Sequence, residues 1–192
     1  MREKGLISLF SAFDKILGSK IDCEYYPCHF EGQDCTFCYC PFYPCFLYRL
    51  GGEIVKSSNK YVWSCKNCRW IHEKENVEEV VDYFSSYPRQ IIAEGDWYFF
   101  NKSLQMILFG KVLSEEINNA YNLIPANFYK LECRSTDKSI ALAIKLDKEF
   151  NIEYIRKITS IEEAKNGEII IPEKFNNTIR GIYKNRFVEC KL

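Results

Sequence analysis

The sequence predicts an α+β protein in two parts: an N-terminal helix with a metal-stapled, cysteine-rich module, then a small α+β domain. Three observations predict it. Eight of the ten cysteines and both histidines fall between Cys23 and His72. Apolar residues recur at helical spacing before that stretch and again just after it. From about residue 94 onward only Cys133 and Cys190 remain, histidine is absent, and short strand-like runs take over. The expected division is therefore 1–92 and 93–192.

Taken in order, residues 1–18 read as an amphipathic helix. Leu6, Phe10, Phe13 and Leu17 lie on one face, with Ser8, Ser11 and Lys15 opposite and an end near Gly18-Ser19. Between 20 and 72, Gly32, Pro41, Pro44 and Gly51-Gly52 punctuate loops, and metal is expected to replace core packing as the cross-link. Lys60 to Trp63 is a candidate strand. A helix is expected over about 76–86, with Val77, Val80, Val81 and Phe84 facing inward and Pro88 closing it. In the second part, Trp97 to Phe100, Phe128 to Cys133, Ile140 to Leu146, Ile152 to Ile158, Glu168 to Ile171 and Arg186 to Leu192 read as strands. Ser114 to Tyr121 reads as a helix, and Ser160-x2-Glu163 as a capping box opening a short one. Cys133 and Cys190 are expected to be buried structural thiols.

Composition bounds the function. Hydrophobic residues make up 47% and charged residues 27%, as in a folded globular protein. The 26 basic and 26 acidic side chains cancel, and residues 20–75 are balanced as well, so nothing draws the chain globally to nucleic acid or an acidic membrane. The apolar run from Gly5 to Phe13 is broken by Asp14 and Lys15 and lacks a small-x-small cleavage pattern, so it reads as a helix and not a signal peptide. No stretch approaches the roughly 18 apolar residues of a membrane span. These features predict a cytoplasmic, reduced protein with no membrane association, whose thiols hold metal.

The cysteine stretch reads Cys23-x4-Cys28-His29, Cys35-x2-Cys38-x-Cys40-x4-Cys45 and Cys65-x2-Cys68-x3-His72. Thiolate and imidazole are the ligands of zinc and of iron–sulfur centres, and an x2 spacing presents two sulfurs from one tight turn. Eight thiols suit two four-coordinate sites. The spacing suggests Cys35, Cys38, Cys65 and Cys68 in one and Cys23, Cys28, Cys40 and Cys45 in the other, with His29 or His72 able to replace one sulfur. Zinc is preferred, because the ferredoxin run of three x2-spaced cysteines is missing. An iron–sulfur cluster is the alternative, since Cys40-Pro41 imitates the end of such a run. A closed four-sulfur cage is structural. An open, catalytic metal would need His29, with Glu31 near it, while His72 fits a supporting or fourth-ligand role.

Three segments resemble a known family: Cys23-Glu-Tyr-Tyr-Pro-Cys28-His29, Asp34-Cys35-Thr-Phe-Cys38-Tyr-Cys40-Pro41, and Cys65-Lys-Asn-Cys68-Arg-Trp-Ile-His72-Glu-Lys-Glu-Asn76-Val77. Over about residues 20–85 the chain resembles the cysteine-rich small domain found in many archaeal and some bacterial proteins. The resemblance implies metal binding and assigns no reaction. It also implies a link to corrinoid metabolism, because similar domains are appended to corrinoid-biosynthesis enzymes of methanogenic archaea, including a threonine-phosphate decarboxylase. Nothing in the second part resembles the pyridoxal-phosphate portion of that enzyme.

No phosphate loop, dinucleotide fingerprint, His-Glu-x2-His or nucleophile elbow is present. The reading that results is a metal-binding accessory or scaffold protein with a protein partner. The first alternative is an enzyme whose active site joins the two parts through His29 or His72. The second is a nucleic-acid-binding zinc protein, stacking bases on the nine aromatic rings between Tyr25 and Tyr48. Nucleic acid is less favoured, because such a groove needs a basic excess.

Overall fold

The structure is a computed structural model that describes residues 1–109, 133–137, 140–183 and 186–191. The fold is α+β, as expected. The helix expected over Ser114 to Tyr121 and most of the strand expected over Phe128 to Cys133 lie outside the described residues. Among the described residues no helix is long and apolar enough to cross a membrane.

The chain forms two compact units that interleave in sequence. One comprises Met1–Cys45, Leu50–Gly52 and the described residues of Ser64–Leu113; the other comprises Phe46–Arg49, Glu53–Trp63 and the described residues of Ser114–Leu192.

The first unit holds the whole cysteine-rich stretch and four helices. Helix α1 spans Arg2–Asp14, α2 Lys74–Ser85, α3 Arg89–Glu94 and α4 Trp97–Phe109. In α1 the buried face is Gly5, Leu9 and Ala12, rotated from the expected Leu6–Phe10–Phe13 face, and Leu17 lies beyond the helix at 56% exposure. The reason is Gly5. A Cβ there would stand 3.1 Å from both the Cys40 carbonyl oxygen and the Pro41 Cα, so the missing side chain lets the helix settle on that segment. Helix α2 buries Val77, Val80 and Phe84, the spacing expected of it.

Residues 97–100 were expected to be a strand, and they are instead the first turn of α4. The aromatic run favours strands locally. The decisive signals lie around it: the Asp96 carboxylate accepts the Phe99 amide at 2.9 Å as a cap, and Trp97, Phe100 and Leu104 are buried at helical spacing. An aromatic core joins these helices to the cysteine loops, with Phe84 packed against Phe42, Tyr87, Phe99 and Phe100 at ring separations of 5.8–6.3 Å.

In the second unit a hairpin pairs β1 (Glu53–Ser57) with β2 (Lys60–Ser64). A six-stranded antiparallel sheet follows, built from β3 (Cys133–Ser135), β4 (Ala141–Leu146), β5 (Ile152–Ile158), β6 (Ile169–Phe175), β7 (Thr178–Tyr183) and β8 (Arg186–Lys191). Its order is β3-β8-β7-β6-β4-β5. Asn176 and Asn177 take positive φ at the β6–β7 turn, as a tight hairpin requires. Ala141 to Ile144 and Ile169 to Pro172 are buried on both faces, so β4 is a central strand. Cys133 and Cys190 are Cα partners in the β3–β8 ladder, and Cys190 is disulfide-bonded, not the thiol expected from the sequence.

One ion pair organises the β5–β6 end of the sheet. Glu168, 1% exposed, accepts Arg156 Nε at 2.8 Å and Nη2 at 2.6 Å, the Tyr154 hydroxyl at 2.9 Å and the Lys165 amide at 2.7 Å. The Arg156 bonds, above all, hold its carboxyl pKa down to about 2 despite burial. A carboxyl depressed in the folded state contributes stability above its ordinary pKa near 4.5, and that contribution fades as pH falls toward 2. Glu168→Gln is expected to lower the thermal midpoint at pH 7 by several degrees and to shrink that difference below pH 3, as read by thermal melts across pH.

Candidate metal centre

All eight cysteines between Cys23 and Cys68 carry thiols and lie in the first unit, as do both histidines. The loops that present them are set by local hydrogen bonds. Tyr26 N donates to the Cys23 carbonyl at 2.9 Å, and Cys68 N to the Cys65 carbonyl at 2.9 Å, closing the turn expected of the second x2 knuckle. Asp34 receives the Thr36 amide at 2.7 Å, and Cys35 N reaches back to the Gly18 carbonyl at 2.9 Å. Helix α4 supports the middle of the stretch: Trp97 Nε1 donates to the Pro44 carbonyl at 2.8 Å and Asn101 Nδ2 to the Cys45 carbonyl at 3.4 Å.

Burial raises the pKa of the Cys38 thiol, with smaller contributions from Cys28, Cys35 and Cys23. Burial likewise pushes Cys40 well above the ordinary thiol range, and Cys65, Cys45 and Cys68 add to it. The thiols differ in environment: Cys28 and Cys38 are exposed, whereas Cys45 and Cys68 are buried.

Gln33, which the sequence reading did not single out, is 1% exposed and touches two of the cysteines. Its Oε1 accepts the His29 amide at 2.7 Å and the Phe30 amide at 3.2 Å, which leaves Nε2 to donate to Cys28 Sγ at 3.5 Å and Cys35 Sγ at 3.8 Å. Its sequence signal is weak, a polar residue two positions before a cysteine. The amides of Ile71 and Trp70 donate to Cys68, and that of Phe42 to Cys40. Amide hydrogens directed at sulfur favour the thiolate, the form that binds metal.

His29 and His72 come together, with rings stacked 4.3 Å apart at 25°. His29 Nδ1 lies 3.1 Å from the Lys66 carbonyl oxygen and His72 Nδ1 2.9 Å from that of Asp34. A carbonyl only accepts, so each Nδ1 carries the hydrogen and each Nε2 keeps the lone pair. Burial lowers both histidine pKa values, which favours the neutral rings this pattern needs. Glu31, weighed as a partner for His29, is exposed.

Of the nine rings between Tyr25 and Tyr48, Phe37, Phe42, Phe46 and Tyr48 are buried, while Tyr25 and Tyr39 are exposed at 71% and 38%. Four of the nine rings therefore fill cores. Among the described residues no group of three or more Cys, His, Asp or Glu side chains is placed to hold a metal ion. The donor chemistry nonetheless suits a thiophilic metal: eight free thiols in one unit, amide hydrogens directed at sulfur, and two neutral imidazoles in the same unit.

This site coincides with a recognised segment. Residues 14–94 match the cysteine-rich small domain family. An uncharacterized protein of Methanocaldococcus jannaschii is 45% identical over 67 residues, which are 35% of this chain and 56% of that protein. A Methanothermobacter thermautotrophicus protein described as a "probable cobalt-factor III C(17)-methyltransferase" is 53% identical over 64 residues, 33% of this chain and 18% of that one. The chain thus spans about half of one relative and under a fifth of the other. No solved structure matches the chain.

The Gln33 bonds make a direct prediction. Gln33→Leu leaves the amides of His29 and Phe30 without their acceptor, at a cost of about 1–3 kcal/mol. Urea unfolding of the full chain is expected to show a lower midpoint with an unchanged slope.

Proposed function

We propose that this protein is a metal-binding accessory protein, carrying metal on the thiolates of its cysteine-rich module and serving corrinoid-type cofactor metabolism. The observation that carries the metal reading is the collection of eight free thiols and both histidines in one small unit. Four thiolates at close quarters repel one another, and partial burial withdraws the water that would screen them. A bound divalent cation or iron–sulfur core removes both costs. Zinc is favoured by the spacing, and tetrahedral sulfur coordination leaves no open position for substrate. A saturated shell is a scaffold, which agrees with the accessory role.

The corrinoid link rests on the shared segment. A stretch 53% identical to residues of this chain forms 18% of a protein whose description names a cobalt-factor methyltransferase. On this reading the module docks its carrier onto, or stabilises, a protein of the same route, and the partner is a protein and not a membrane. No local excess of basic charge favours nucleic acid as the partner.

Elemental analysis and absorption spectroscopy on anaerobically purified full-length protein test the metal reading. Two zinc per chain with no visible absorption is the expected result. Iron with sulfide and visible bands would keep the metal but replace the scaffold role with a redox one. A metal-free chain whose eight thiols all react with a thiol reagent in the native state would overturn the proposal.

A further inference from the structure

We infer that strand β5 is the seam of a homodimer: its exposed edge pairs antiparallel with β5 of a second copy of this chain, with Ile155 at the two-fold axis. The inference concerns the second unit and does not rest on the metal-binding reading.

Strand β5 ends the sheet order, hydrogen-bonded to β4 alone. Among the described residues no further strand lies along its outer side, so every second amide and carbonyl there lacks a ladder partner. The opposite edge, β3, is only three residues long, whereas β5 has seven and contains neither Pro nor Gly. Glu153, Tyr154 and Lys157 are exposed along it, Tyr154 at 40%. The register shift between Lys145 and Leu146 leaves Glu153 without a Cα partner on β4. An exposed strand of this length is a template for another strand, and proteins commonly disarm such edges with charge.

Here the charges are self-complementary. The strand reads Ile152-Glu-Tyr-Ile-Arg-Lys-Ile158. Antiparallel pairing about Ile155 sets that residue against itself, Tyr154 against Arg156 of the second copy, and Glu153 against its Lys157. Two-fold symmetry makes each of the last two contacts twice. The neighbouring registers lose the match. Centring on Arg156 sets that guanidinium against its own copy, and centring on Tyr154 sets Glu153 against Ile155 and Lys157 against Asn151. Opposite charges and a cation against an aromatic ring favour cross-strand pairing, while like charges oppose it. One register therefore wins.

The pairing side chains are already in order. The Tyr154 hydroxyl and the Arg156 guanidinium are both bonded to buried Glu168, so they have little freedom left to lose on association. Lys157 pairs with Glu173 of its own chain, yet its side chain stays 61% exposed. An ammonium has three hydrogens, so it can serve Glu173 and Glu153 of the second copy together.

Sedimentation equilibrium and hydrogen exchange on the full-length protein, kept free of oxygen and at low salt, test the inference. A monomer–dimer equilibrium that weakens with added salt is expected. Amides of residues 152–158 should gain protection as protein concentration rises, while those of β7 stay unchanged. Glu153→Lys and Lys157→Glu should each lower the association constant by roughly tenfold. An equimolar mixture of the two variants should recover the dimer, because the mixed pair restores both opposite-charge contacts. A chain that stays monomeric at submillimolar concentration would overturn the inference. So would a dimer whose β5 protection is independent of concentration, or one that both charge reversals leave intact. Folded variants whose mixture stays monomeric would refute the register. Since Lys157→Glu also opposes Glu173, the exchange measurement on the unaltered chain decides independently of that variant.

Discussion

The first unit depends on how eight thiols are held in a stretch with little regular structure. Neighbouring sulfurs add to burial in raising the proton affinity of Cys38 and Cys40. Neutral thiols would tolerate this packing, but they are weak hydrogen-bond acceptors and gain little from the amides directed at them. Thiolates would gain from those amides and suffer from their neighbours. A thiophilic cation reconciles the two demands. It also supplies the cross-links that loops 15–52 and 64–73 lack from helices or strands.

The rest of the first unit serves to hold those loops. Gly5 lets α1 rest against Cys40 and Pro41, Phe42 enters the aromatic core around Phe84, and α4 fastens Pro44 and Cys45 through Trp97 and Asn101. These contacts grip mainly the segment around the more buried sulfurs. The His29–Cys35 loop relies instead on Gln33 and on the hydrogen bonds of His29 and His72. The six-stranded sheet of the second unit is independent of this chemistry. Its stability comes from aliphatic burial on both faces of β4 and β6, and from the Glu168 hydrogen-bond network.

Periodicity and capping made α1, α2, β2, β4, β5, β8 and the Ser160–Glu163 capping box legible in the sequence. The failures have identifiable causes. Trp97 to Phe100 has strand-favouring side chains, and only the Asp96 cap and Leu104 beyond it reveal a helix. The buried face of α1 turned on Gly5, whose value lies in a backbone approach that hydrophobic spacing does not register. Strands β1 and β7 and helix α3 are short and carried no strong pattern. The density of cysteine marked the candidate site in the sequence. Gln33, whose amide touches Cys28 and Cys35, has no motif of its own.

Hydrogen exchange on the full chain, with its metal and after removal by a chelator under reducing conditions, tests most directly whether metal holds the cysteine-rich module together. Metal removal is predicted to abolish amide protection in residues 15–52 and 64–73 while leaving strands β4 to β7 protected. Protection in the cysteine-rich loops that survives complete metal removal unchanged would contradict the account, because those loops would then be held by their side chains alone.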